Sequence, residues 1–316
     1  MANELTGGNE DSGTEAQPGP WFILGAGCLG TVLAFRLSRQ GVPCKLLSHR
    51  GADERSVLVD GDPYGVRVEA LAAQAPQSIG RLLLTTKAGQ IDAALQLAGP
   101  KLQSDAVLLT PANGLGFATS LETAGVELPL QRAVSTAAAY RDEAGNIVLA
   151  AIGDTRVGVP GAAHPPARWF LDSLSRLPDW QWDPQIATAI ERKFAINCVI
   201  NPLTAQRRCL NGDLLDQGEG EALLEQLSSE VEANLRSLGL WREATPLQQY
   251  VQKVCRATAV NRSSMLQDVL AGRPTEIEYL SGELLRRRAC LNSPPAAALS
   301  EALYEQLRER ANPGDS

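Results

Sequence analysis

From Trp21 onward, short apolar runs alternate with segments of helical periodicity. The runs Trp21–Leu24, Cys44–Ser48, 81–85 and 106–110 have strand length, and 29–40 repeats its apolar residues at helix spacing. Strands that alternate with helices predict a parallel sheet, because a parallel partner is reached only through a crossover connection. Between about 134 and 159 the pattern becomes strand-like pieces parted by Ala144-Gly145-Asn146 and Gly153-Asp154, which predicts an antiparallel extension of that sheet. After Asp183 the strand signals stop. Helix then follows helix to about Arg310, with breaks at Asn211-Gly212, Gly272-Arg273-Pro274 and Ser293-Pro294-Pro295. We therefore expect an α/β domain over 21–184 and an all-helical domain over 185–312. Residues 1–20, rich in Gly, Glu, Asp, Asn and Pro, lack the apolar content to order themselves and are expected to form a disordered tail.

Composition narrows the function more than the fold. The 316 residues are 44% hydrophobic and 21% charged, as in soluble globular proteins. A net charge of -7 argues against a nucleic-acid partner, which needs a clustered basic surface, but leaves room for a small anion in a local positive pocket. The six cysteines include no C-x-x-C pair, and the only histidines are His49 and His164, neither near a second ligand. They read as reduced thiols in a protein without a metal site. The apolar run over 21–37 follows a tail carrying Glu4, Glu10, Asp11 and Glu15, whereas a secretory leader begins with positive charge. We expect a cytoplasmic protein with no membrane segment.

The first chemical signal is Gly25-Ala26-Gly27-Cys28-Leu29-Gly30, which follows an apolar strand and opens a helix with apolar residues at Leu29, Val32 and Leu33. In a Rossmann-type dinucleotide site the first glycine permits the tight turn and the second admits a diphosphate against the backbone. The third lets helix and strand pack, and the helix N-terminus faces the anion. An NAD site usually ends its second strand in a carboxylate that takes the ribose hydroxyls. This strand ends in Ser48-His49-Arg50, whose positive charge suits a 2′-phosphate and favours NADPH.

Polar residues in the second half supply candidate chemistry. Lys193, Asn197 and Asn201 fall at i, i+4 and i+8 of a segment otherwise built of Phe194, Ile196, Val199, Ile200 and Leu203, so they share one helix face. That stripe reads either as a functional row or as the solvent face of an amphipathic helix. Pro202 should kink or end the helix. Thr275 with Glu278 forms a capping box, so a helix is expected there with Glu276 in its first turn.

Taken together these motifs resemble the ketopantoate reductase family. The likeness covers nearly all of 21–289. It rests on the glycine turn; Thr86-Lys87-Ala88-Gly89-Gln90; Pro111-Ala112-Asn113-Gly114-Leu115-Gly116; the Lys193 helix through Asn201-Pro202-Leu203-Thr204-Ala205 to Asn211-Gly212; and the segments 263–268 and 275–279. The resemblance implies NADPH-dependent reduction of 2-dehydropantoate to pantoate, on the route to pantothenate and coenzyme A. It makes Lys193 the proton donor to the keto oxygen, and sets Lys87 and Asn113 beside the nicotinamide and ribose. Asn197, Asn201, Asn211 and Ser264 would hold the substrate, Glu276 would stand where cofactor and substrate meet, and Ala139 would offer backbone to the cofactor. Two departures stand out. His49 occupies the position where the family commonly has arginine, with Arg50 following, and 135–140 matches with an apparent one-residue insertion. Lysine as donor agrees with the chemistry, since hydride addition to a ketone leaves an alkoxide that needs a proton. The rival readings are a reductase of another branched 2-oxoacid and a non-catalytic NADP-binding regulator. The partner is expected to be a small molecule, and the protein a monomer or homodimer.

Overall fold

The computed structural model describes residues 19–116, 125–161, 163–216 and 218–311, so the expected disordered tail over 1–20 lies outside the described residues except for its last two. Strands β1 (Trp21–Leu24), β2 (Cys44–Ser48), β3 (Asp53–Val59), β4 (Asp62–Ala70), β5 (Ile79–Leu84), β6 (Leu102–Thr110), β7 (Leu130–Ser135), β8 (Ala138–Arg141), β9 (Ile147–Ala151), β10 (Thr155–Gly158) and β11 (Trp180–Trp182) form one sheet. Its order is β11-β10-β7-β6-β5-β1-β2-β4-β3-β9-β8. The central strands run parallel, and β10 and β8 add antiparallel partners on β7 and β9.

Strand β1 shows why the centre is a continuous apolar run. Successive side chains point to opposite faces, and both faces are covered. Trp21 and Ile23 pack with Val32, Leu33 and Leu37 of helix α1 (Cys28–Arg39), whereas Phe22 and Leu24 join Ile91, Leu95 and Ala98 of helix α2 (Ile91–Ala98) on the other side. The outer strands β9 and β8 curl back over α1 and pack on it.

The hairpin β3–β4 falls in a stretch from which the periodicity predicts nothing. Its signal was the pair Asp60-Gly61, with φ of 52° and 91°, the left-handed pair that a two-residue hairpin turn demands.

The second half is helical: α4 (Ile186–Arg207), α5 (Glu219–Ser237), α6 (Leu247–Ala257), α7 (Ser264–Leu270), α8 (Ser281–Arg288) and α9 (Ala298–Ala311), with a short helix α3 (Arg168–Leu171) earlier in the chain. Helix α4 is the axis of this half and buries Phe194, Cys198, Val199 and Leu203 among its neighbours α5, α6, α7 and α9. It also rests on β7 and β10. At that junction a Cβ on Gly158 would stand 2.3 Å from the Asp183 carbonyl oxygen and 2.8 Å from Ile186 Cβ, so glycine is what lets the sheet meet the helix.

Two local expectations are corrected. The helix does not end at Pro202 but runs on to Arg207, because Leu203, Thr204 and Ala205 are buried and hold the last turn in place. The capping box at Thr275 starts no α-helix. Its hydroxyl accepts from Ile277 N at 3.4 Å, only a 3₁₀ turn forms over Ile277–Tyr279, and α8 begins at Ser281. Tertiary bonds take the groups that the box requires. Glu278 receives the Tyr304 hydroxyl at 2.7 Å and Arg286 at 3.2 Å, while Tyr279 packs against Gly89 and Gly114 of the first half.

Candidate active site

The glycine turn between β1 and α1 is fixed by contacts that admit no side chain. Gly25 has φ 124°, and a Cβ there would lie 2.8 Å from Thr85 Oγ1 and 2.9 Å from Thr86 N. A Cβ on Gly30 would lie 2.0 Å from the Gly25 carbonyl oxygen, whereas one on Gly27 would meet nothing within 4 Å. Gly25 and Gly30 thus serve the turn's own packing, and Gly27 faces open space. Thr85 Oγ1, just past the end of β5, donates to the Gly25 oxygen at 2.9 Å and braces the turn. The first turn of α1 carries no acidic residue, so the positive end of its dipole is not neutralised locally. These features fit a dinucleotide diphosphate. At the end of β2 the Ser48 hydroxyl accepts from Arg50 N at 3.0 Å, and His49 and Arg50 stay exposed, as a ribose-phosphate contact requires. Ala139, in β8, packs in the same apolar cluster as Ala26, Cys28 and Leu29, so the strand is drawn over the turn.

The second group of residues meets where α4 approaches the ends of β6 and β7. Lys193 and Asn197 line a small cavity with Asn113 and Arg132. Neither Lys193 nor Asn197 is exposed, and Asn201 is buried one turn further on, so the row faces protein rather than solvent. Lys193 Nζ donates to the Ser135 carbonyl oxygen at 3.0 Å. Burial pulls its pKa down to about 8; the negative charge of Glu276 opposes that shift and the Arg132 guanidinium adds to it. Glu276 crosses between the halves: one carboxylate oxygen accepts Ala88 N at 2.9 Å and the other Asn113 Nδ2 at 3.1 Å. Lys87 makes the reverse crossing, pairing with Asp268 at 2.7 Å and donating to the Pro274 carbonyl at 3.0 Å.

An Oδ1 on Asn113 is buried without a hydrogen-bond partner. An acceptor left in that state costs about 1–3 kcal/mol, which a bound donor would recover. The structure therefore brings Lys87, Asn113, Lys193, Asn197 and Glu276 together. Asn211 is held elsewhere, its Nδ2 donating to Thr258 Oγ1 at 2.9 Å, although its Oδ1, like that of Asn113, is buried without a partner. Ser264 is exposed at the first position of α7, while its neighbour Ser263 is buried, caps that helix through Leu266 N at 3.0 Å and shares a hydrogen bond with Thr204 at 2.7 Å.

Arg132 and Asp268 were missed by the sequence reading. Arg132 is buried, its pKa is lowered to about 10 by burial, and its Nη2 donates to the carbonyls of Ala112 at 2.9 Å and Gly114 at 3.1 Å. This ties the Asn113 loop to β7. Its signal was an arginine inside the strand Leu130–Ser135, where an unpaired charge would be costly. Asp268 is buried yet ionically paired; it closes the 263–268 motif, but nothing in that motif gives it a role.

Comparison with known proteins returns the same family for both halves. Residues 21–161 match the family described as ketopantoate reductase PanE/ApbA, and residues 185–311 match its C-terminal part. The 2-dehydropantoate 2-reductase of Vibrio cholerae is 32% identical over 288 residues, covering 90% of this chain and 96% of that protein. That of Shigella flexneri is 35% identical over 273 residues, covering 84% and 87%. Among solved structures, the dimeric ketopantoate reductase of Staphylococcus aureus superposes with a TM-score of 0.78 at 17% identity, covering 93% of this chain and 99% of that one. A D-mandelate dehydrogenase with bound NADH and anilino(oxo)acetate superposes at 0.82 with 18% identity, covering 93% and 98%. At these identities the superpositions show the shared fold.

Proposed function

The chain belongs to the ketopantoate reductase family, and on that footing we propose that it is an NADP-dependent oxidoreductase that reduces 2-dehydropantoate to pantoate. The observation that carries the reading is Lys193: an ammonium drawn out of solvent, at a cavity shared with Asn113 and Asn197, with a pKa of about 8. The halves are read as a dinucleotide-binding domain over 21–184 and a helical substrate domain over 185–312.

NADPH, when bound, supplies a hydride to the keto carbon. Gly25, Ala26, Gly27, Cys28, Leu29 and Gly30 hold its diphosphate, His49 and Arg50 its 2′-phosphate, Ala139 its main-chain contact, and Lys87 and Asn113 the end that reacts. Asn113 Oδ1, partnerless in the buried cleft, is an acceptor for a ribose or substrate hydroxyl. As the carbonyl oxygen gains charge, Lys193 releases Ser135 and gives that oxygen a proton. A lowered pKa makes the ammonium a stronger acid than a surface lysine, and Glu276 keeps it charged at neutral pH. Asn197, Asn201, Asn211 and Ser264 hold the carboxylate and hydroxyl of the oxoacid.

Among the described residues no helix is long and apolar enough to cross a membrane, and the six cysteines are free thiols, which suits a reducing cytoplasm. The chain is read as a monomer or a homodimer, and a ketopantoate reductase of the same fold is dimeric.

Lys193→Ala is expected to lower turnover of 2-dehydropantoate by about 10²–10⁴-fold, as loss of a general acid does, with the NADPH Kd unchanged within about twofold. Unchanged turnover would overturn the mechanism. Parallel assays with 2-oxoisovalerate test the substrate, and equal, feeble rates on both acids would overturn its assignment.

A further inference from the structure

Two arginines given no role above, Arg141 and Arg273, stand on segments tied to the glycine turn. The first is Arg141. Strand β8 packs on α1, and Ala139 shares the cluster of Ala26, Cys28 and Leu29. Arg141 lies two residues beyond Ala139 on the same strand, so both stand on the face turned toward α1. Its guanidinium donates to the Gly145 carbonyl, a neutral partner that leaves its charge uncompensated. The second is Arg273, from the loop after α7 in the helical half. Its Nε donates to one oxygen of buried Asp268 at 3.0 Å, and the other oxygen of Asp268 holds Lys87 at 2.7 Å. Lys87 directly follows Thr86, whose backbone N abuts Gly25 at 2.9 Å from its missing Cβ position. Arg273 is thus tied, through Asp268 and Lys87, to the segment of the other half that abuts the glycine turn. Both guanidinium groups reach the first residue of α1 electrostatically, and each draws the Cys28 thiol down against the burial that raises it.

One carboxylate, Asp268, serves two of these three cations, and the first turn of α1 adds no acid. At Gly27 the turn presents open backbone, where a Cβ would meet nothing within 4 Å. We propose that Arg141 and Arg273 close on the diphosphate of the dinucleotide at the glycine turn, adding guanidinium forks to a site otherwise built from backbone N–H groups. A planar guanidinium matches two phosphate oxygens at once. Because Arg273 comes from the helical half, the diphosphate draws that half toward the sheet. The inference rests on the cofactor reading above.

Calorimetric titration of the full chain separates the two. NADP+ carries the diphosphate, whereas adenosine 2′-monophosphate carries only the ribose phosphate. Arg141→Ala and Arg273→Ala are each expected to weaken NADP+ by about tenfold, the loss of a charge-assisted hydrogen bond, and the double variant by about a hundredfold. Adenosine 2′-monophosphate should bind all of them as it binds the parent chain. Arg273→Lys keeps a cation beside Asp268 without the fork and should fall between parent and alanine variant, which separates phosphate binding from loss of the Asp268 pair. The inference is overturned if the double variant binds NADP+ within twofold of the parent, or if adenosine 2′-monophosphate weakens in step. A parent chain that binds neither probe would remove the cofactor reading, and this inference with it.

Discussion

The glycine turn and the Lys193 stripe solve opposite problems. The turn works by what it leaves out: three residues without side chains, two of them so hemmed in that a methyl group would strike Thr85 or the Gly25 carbonyl. It contributes no titratable side-chain acid or base beyond a thiol whose pKa burial raises. The stripe works by what it puts in the wrong place, an ammonium and two amides on the inward face of a packed helix. Recognition of a constant group, the diphosphate, is thereby left to rigid backbone. Chemistry on a variable group is left to a side chain whose acidity the surroundings set. Damage to the first should appear in binding and stability, and damage to the second in turnover and its pH dependence.

The largest expected effect breaks the turn. In Gly30→Ala the new methyl meets the Gly25 oxygen at 2.0 Å, so α1 or the turn must shift. We expect about 3 kcal/mol or more of destabilisation in thermal or urea melts, together with loss of NADPH binding at micromolar concentration. A stable Gly30→Ala protein with parental affinity would show that the turn is not the rigid element described here.

Next in size is an effect confined to the stripe. With a Lys193 pKa of about 8, the proton donor is charged below that pH and lost above it, so kcat/KM should fall as pH rises through about 8. Glu276 raises that pKa, so Glu276→Gln should move the falling limb to lower pH and reduce turnover at neutral pH by about 10-fold or more. A limb that stays in place would mean that a group other than Lys193 gives the proton.

The smallest effect sharpens the comparison at the far end of the cofactor. Arg50 is exposed and solvent-screened, so Arg50→Ala should weaken NADPH by roughly three- to tenfold and leave NADH unchanged. Thermal-shift titration with each cofactor reads the difference. Equal losses for both would deny Arg50 any role in choosing between them.

Legibility in the sequence followed the range of the interactions. Strand β1, the turn and α1 were readable within a residue, because apolar runs, glycine and helix periodicity act locally. The face of Lys193, Asn197 and Asn201 was readable from spacing alone, but its direction was not: solvent and cleft impose the same period on a helix. Glu276 was placed in a helix by a capping pattern that is sound locally, and was pulled out of it by Ala88 and Asn113, 188 and 163 residues away. The role of Asp268 escaped for the same reason, since what distinguishes it is burial against Lys87 of the other half. The curl of β8 onto α1 joins elements whose strand order no periodicity encodes.

Helix α4 passes through Pro202 unbroken, so Lys193, Asn197 and Asn201 are carried by one rod. At 1.5 Å of rise per residue they are spaced about 6 Å apart, with about 12 Å from first to last. In its proposed role that rod is a ruler. It measures a substrate from the carbon that is reduced, and an acid one or two carbons longer must fold back or forgo a mark.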